Sequence, residues 1–222
     1  MRQKIALGLL ALSLGGMTGT FLPQLRLESD YRLKQILTAI QPADKVITAN
    51  LPPSVPVVFN PLTTPDGTSI VPINTEFSLV IPKIGVNAPV IAGVDPASPG
   101  EYQAALLKGV AQAATSNLPD EGGTVYLFSH STNYDWFVKD LNAVFYLLKN
   151  LEPGDLAVIF YEDKRYTYRL TEKRIAKAGE VSYLVPQGGK KRLILQTCWP
   201  PGSTLERLLI FADLIDEQSE SI

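Results

Sequence analysis

The 222 residues include one cysteine and one histidine, Cys198 and His130, and each stands where an apolar run ends. Cys198 closes Leu193-Ile194-Leu195-Gln196-Thr197, and Trp199-Pro200-Pro201-Gly202 after it stops the strand. His130 follows Thr124-Val125-Tyr126-Leu127-Phe128-Ser129. A thiol at a strand's exit is placed to attack carbonyl carbon as the thiolate, and a neighbouring imidazole or guanidinium lowers the cost of that charge and helps move the proton. Arg207, nine positions after the cysteine, leads into Leu208-Leu209-Ile210-Phe211-Ala212. A fixed guanidinium there would stabilise a negative oxygen or hold a substrate backbone. Taken singly, each residue has an ordinary reading: a buried structural cysteine, a satisfied surface or core histidine, and a solvated strand-end arginine beside Glu206. Two residues cannot build a metal cluster, and no Asp/Glu grouping has calcium-site spacing. No metal or cofactor is expected.

Strands must position these groups. β-rich runs lie at 77–84, 88–94, 124–129, 156–161, 166–176, 192–197 and 208–214, broken by Pro-Lys, Gly-Val-Asn and Gly-Gly and by a Glu-Asp-Lys hairpin turn. Helix is expected at 102–113, rich in alanine and leucine, and at 135–150, where Trp136, Phe137, Leu141, Val144, Phe145 and Leu148 keep helical spacing. Many strands with few helices, lacking regular βαβα alternation, give a mostly β fold of closed or sandwiched architecture.

The net charge of -2 gives no basic face for nucleic acid, and none is expected as a partner. A lone cysteine excludes an intramolecular disulfide. Arg2 and Lys4 precede eighteen uncharged residues, 5–22. At about 1.5 Å per residue that run spans roughly 27 Å, near a bilayer core. No small-x-small cleavage site directly follows, so an uncleaved signal anchor is expected over a cleaved signal peptide, with the positive flank cytoplasmic and the rest outside. No second apolar run of that length occurs, so no C-terminal anchor is expected. Seven of the seventeen prolines fall between Pro42 and Pro72. Proline at that density excludes helix and central strand and reads as an extended tether, the alternative being a loop packed on the domain. The expected organisation is a cytoplasmic tip and anchor at 1–25, a short helix and proline-rich linker at 26–76, and the functional domain at 77–222.

The apolar-x-Thr-Cys strand end, the arginine nine positions on and the single upstream histidine together resemble the sortases, cysteine transpeptidases of bacterial surfaces. The resemblance extends to Leu79-Val80-Ile81-Pro82-Lys83-Ile84-Gly85-Val86-Asn87-Ala88-Pro89-Val90, which looks like the strand pair opening the sortase domain, and to Gly122-Gly123 before the histidine run. It covers about 77–215, and it implies a closed eight-stranded β-barrel with a few short helices. It also implies Cys198 as nucleophile, His130 as general acid and then base, and Arg207 as stabiliser of the tetrahedral oxygen. Thr197 would line the pocket, and a backbone N–H next to Cys198 would complete the oxyanion site. The loop at 178–190 and the segment 199–206 would wall the groove, with Val181, Leu184 and Trp199 among its substrate-binding residues beside Tyr183.

The function implied is cleavage of a Leu-Pro-x-Thr-Gly-like sorting signal through a thioester and transfer of the surface protein to an amine, a cell-wall precursor or a protein lysine. The brief Cys198-to-Arg207 stretch looks more like the housekeeping-type classes, possibly class D or E, than the pilin polymerases. The enzyme would sit in the cell membrane by a single span, its domain extracytoplasmic. Two other readings stand beside this one: a hydrolytic cysteine peptidase on the same scaffold, and a noncatalytic surface β-barrel for adhesion or assembly.

Overall fold

In the strand carrying the cysteine, Leu193, Leu195 and Thr197 are buried on one face, while Ile194, Gln196 and Cys198 alternate with them on the other. This period of two divides the whole molecule into a barrel interior and an outer wall that is itself partly covered. The computed structural model describes residues 26, 28–33, 35–36, 62–131, 144–184 and 189–218.

Eight strands close the barrel in the order β10-β8-β7-β3-β4-β5-β6-β9, β9 pairing back to β10. They are β3 (Phe77–Ile81), β4 (Val86–Val94), β5 (Val110–Ala113), β6 (Thr124–Phe128), β7 (Leu156–Tyr161), β8 (Lys164–Lys177), β9 (Arg192–Trp199) and β10 (Glu206–Gln218). The interior is filled by Leu79, Ile81, Leu127, Ile159, Leu193, Leu195 and Ile210, each fully buried, with Phe145 and Leu148 among them. β7 and β8 turn at Glu162 and Asp163, both with positive φ (46° and 58°), the primed-turn geometry that matches the twist of paired strands.

Two pairs, β4/β5 and β6/β9, are parallel and need crossovers. The first is made by α1 (Pro99–Leu106), which has proline in its first turn and Ser98 as its N-cap residue. The helix expected through Ala113 therefore ends at Leu106, and Val110–Ala113 is strand. The reason is local: a Cβ at Gly109 would stand 2.3 Å from the Pro89 carbonyl oxygen, so only glycine lets β5 approach β4 here. Beyond it Val110, Ala111, Gln112 and Ala113 are buried on both faces, and burial overrides alanine's helix preference. Of the helix expected at 135–150, residues 135–143 lie outside the described residues, and Tyr146–Asn150 forms a short 3₁₀ turn.

The last part of the proline-rich stretch lies on the barrel. β1 (Leu62–Thr63) and β2 (Ser69–Ile70) form a hairpin whose Leu62 and Ile70 cover Val80, Val158 and Phe160 on the outer faces of β3 and β7. Those three apolar side chains would otherwise face water. Residues 28–33 are helical; Glu28 forms an ion pair with Lys149 at 3.0 Å, and Tyr31 packs against the barrel core. The expected anchor at 5–22 lies outside the described residues, and among the described residues no helix is long and apolar enough to cross a membrane.

Candidate active site

The strand directions bring the ends of β6 and β9 and the start of β10 to one end of the barrel, the end that also carries the β3–β4 turn. β6 and β9 run parallel with Thr124 opposite Arg192 and Phe128 opposite Gln196. The ladder continues past the strand: the Ser129 N–H donates to the Gln196 carbonyl at 3.2 Å, and the Thr197 hydroxyl donates to the Ser129 carbonyl at 2.9 Å. Two residues further, His130 stands level with Cys198. On the other side Cys198 is directly opposite Arg207. With neighbouring strands about 5 Å apart, the three backbones lie side by side, the cysteine in the middle.

Alternation sets the faces. Cys198 shares the outer wall with Gln196 and Ile194, and Arg207 shares it with Leu209 and Phe211; these stand with Tyr126 and Phe128 of β6 in an apolar cluster outside the barrel core. The Cys198 thiol is free and half-buried. His130 is half-buried too, and its carbonyl accepts from the N–H of Phe145, a fully buried core residue. Arg207 donates from Nη1 to the carbonyls of Thr204 (2.9 Å) and Glu206 (3.0 Å), clasping the loop that follows the cysteine. A guanidinium has five N–H donors, so this clasp leaves others to face the wall.

Beneath the groove lies a polar chain that the sequence reading did not single out. The Tyr126 hydroxyl donates to the side-chain oxygen of Gln196, and Tyr183 stacks on the Tyr126 ring at 6.1 Å with an interplanar angle of 17°. Burial pushes both tyrosine hydroxyls above their usual range while the nearby Arg207 charge pulls them down. Along the same wall, away from Cys198, opens a cavity of about 300 Å³ between Thr124, Ile194 and Phe211 of the sheet and Ser182 and Tyr183 of the β8–β9 connection. Arg174, which stacks over Phe211 at 4.9 Å, and Arg192, paired with Asp213 at 3.2 Å, also line it.

The other expected site residues fall in different places. Thr197 is buried on the interior side, and its hydroxyl ties β9 to the strand of His130 rather than facing the groove. Trp199 packs against the barrel core at the mouth. Val181 is 54% exposed just before the 3₁₀ turn Ser182–Leu184, and the side chain of Leu184 lies outside the described residues. Gln196 and Tyr126 were within reach of the sequence: stepping back by twos from Cys198 and by fours from His130 lands on them. Arg174 had no such signal, because it reaches the groove only through the pairing of β8 with β10. Among the described residues no three His, Cys, Asp or Glu side chains gather as a metal site.

A family model described as the sortase domain matches residues 79–215. Sortase D of Bacillus subtilis is 29% identical over 136 residues, an alignment that takes in 60% of this chain and 60% of that relative's length. Among solved structures, the pilus-related sortase C of Group B Streptococcus superposes with a TM-score of 0.54 at 26% identity, covering 64% of this chain and 67% of that one. A Clostridium perfringens sortase D5 transpeptidase, at 20% identity, shares the fold with a TM-score of 0.52, covering 64% of this chain and 79% of its own.

Proposed function

This chain belongs to the sortase family, and from that premise we propose that it is a cysteine transpeptidase that cuts a Leu-Pro-x-Thr-Gly-like sorting signal and transfers the acyl part to an amine. The observation that carries the reading is the common level of His130, Cys198 and Arg207 on three adjacent strand ends, open to the outer wall.

The Cys198 thiolate attacks the carbonyl carbon of the scissile threonine-glycine bond. In the tetrahedral intermediate the carbonyl oxygen carries the negative charge, and donors of Arg207 not used by the loop meet it or hold the adjacent backbone. The C–N bond breaks as His130 gives its proton to the leaving amine, and a thioester remains on Cys198. The incoming amine then attacks the thioester and His130 takes a proton from it. The thiolate leaves, and a new amide joins the surface protein to its acceptor. In this proposal the acceptor is a cell-wall precursor or a protein lysine. Exposed protein substrates and an amine at the envelope fit an extracytoplasmic domain held by the N-terminal anchor.

The test is turnover of a fluorogenic sorting-signal peptide, with and without an added amine, by wild type, Cys198→Ala and His130→Ala. The reading expects cleavage only by wild type, with the acyl fragment joined to the amine when one is present. Cleavage that yields only the free acid at saturating amine would instead make it a hydrolase. A fully folded Cys198→Ala variant that still cleaves would remove the cysteine from the chemistry.

A further inference from the structure

Gln196 is the one polar side chain between Cys198 and the wall cavity on its own strand face, with Ile194 next in line. It stands level with Phe128 on one side and Leu209 on the other, both buried apolar residues. A half-buried amide set between two apolar neighbours needs a reason to be polar. Tyr126 supplies half of it by donating its hydroxyl proton to the Gln196 oxygen. Tyr126 has a single proton to give, so the hydrogen bond it shares with Tyr183 is donated by Tyr183. The chain Tyr183 to Tyr126 to Gln196 therefore fixes which way round the amide sits. With the oxygen occupied, the NH₂ group carries two donors, and among the described residues no acceptor meets it.

Geometry gives that group a partner. Two residues of β-strand advance about 7 Å, so Gln196 lies opposite the part of an extended substrate two residues upstream of the carbonyl that Cys198 attacks. In the signal proposed above, that is the leucine-proline step. A prolyl nitrogen carries no hydrogen, and the backbone there offers acceptors but lacks one of its usual donors. A protein that reads such a step must bring donors to its carbonyls.

We propose that Gln196, oriented by Tyr126, is a substrate-binding residue that donates its amide N–H to a backbone carbonyl of the leucine-proline step. This rests on the sorting-signal reading and assigns a specific contact within it. Phe128 and Leu209, flanking the amide, offer the apolar surface on which leucine and proline side chains would lie.

The test compares wild type with Gln196→Leu, Gln196→Glu and Tyr126→Phe, using steady-state cleavage of a sorting-signal peptide and its direct binding to each variant built on Cys198→Ala. Loss of a bond made equally in ground and transition states raises KM and spares kcat. We expect about a tenfold rise in KM and in dissociation constant for Gln196→Leu, a larger one for Gln196→Glu, whose carboxylate repels the carbonyl, and about threefold for Tyr126→Phe, which frees the amide to turn over. Replacing the substrate's leucine carbonyl and, separately, its proline carbonyl by a thioamide, a poorer acceptor, should weaken binding to wild type at one of the two positions and leave Gln196→Leu unaffected. Melting temperatures identify a variant that is merely unfolded. If Gln196→Leu binds and cleaves like wild type, the proposal is wrong while the sorting-signal reading stands. If wild type neither binds nor cleaves the peptide, both fall together.

Discussion

Arg207 separates chemistry from structure because its side chain does two measurable things. In the resting geometry Nη1 donates to the Thr204 and Glu206 carbonyls, half-exposed bonds worth together about 1 kcal/mol net. For a domain of this size that is a fall in Tm of about 2–4 °C. A protein of ordinary stability, about 5–15 kcal/mol, stays almost wholly folded after such a loss. If the remaining donors meet the tetrahedral oxygen, their removal costs about 10²–10³ in kcat, roughly 3–4 kcal/mol. Arg207→Lys keeps the charge but replaces the planar fork with a point donor, so it should keep most of the melting temperature and lose most of the rate. The assay is steady-state cleavage of a fluorogenic sorting-signal peptide beside thermal melting of the same preparation. Turnover within a few-fold of wild type would refute the proposed role. A rate loss accompanied by a fall of more than about 10 °C would assign Arg207 to the loop instead.

Thr197→Val removes the donor to the Ser129 carbonyl and should cost about 1–3 kcal/mol, with a lower kcat because Ser129 leads directly into His130; Thr197→Ser should restore both. Thermal melting and peptide turnover check this together. Gly109→Ala forces a Cβ against the Pro89 carbonyl oxygen, a backbone atom that cannot swing aside, and should destabilise by about 1–3 kcal/mol or prevent folding, read by calorimetry. At the Glu28–Lys149 pair, the hydrogen bond from Lys149 holds the Glu28 carboxyl below its ordinary 4.5; the Lys149 ammonium, opposed by burial but favoured by Glu28 and Tyr146, is raised above 10.5. The carboxylate's contribution is therefore complete above 4.5 and lost as pH falls through its lowered value, and the ammonium's is complete below 10.5 and lost as pH rises through its raised one. Glu28→Gln should thus cost about 0.5–1 kcal/mol at neutral pH and nothing in strong acid, measured by melting across pH.

The sequence was most legible where one pattern had one meaning. Leu193 to Cys198 reads as a strand because β9 is half covered, and alternation alone predicts that Cys198 and Leu195 take opposite faces. It failed at Val110–Ala113, where alanine favours helix and only the approach of β4 at Gly109 makes strand the better choice. The proline-rich stretch reads as tether by composition, yet Leu62 and Ile70 are needed to cover Val80 and Phe160, a demand made by strands far along the chain. At the site, the three charged or nucleophilic residues could be named from their positions, but the level they share depends on a parallel pairing of β6 with β9 across 68 residues of sequence. Thr197 illustrates the limit of motif reading: its place beside the cysteine suggests a pocket wall, while alternation sends its hydroxyl inward to Ser129.

The central claim is that Cys198 carries the acyl group of a cleaved peptide as a thioester. It is tested most directly by mixing the protein with a sorting-signal peptide in the absence of amine, quenching in acid within seconds and weighing the intact protein. The account predicts a mass increase equal to the peptide fragment through its threonine, located on the peptide containing Cys198, absent from Cys198→Ala and discharged by hydroxylamine or an amine acceptor. Cleaved peptide with no adduct at any quench time, and with turnover undiminished in a folded Cys198→Ala variant, would contradict it.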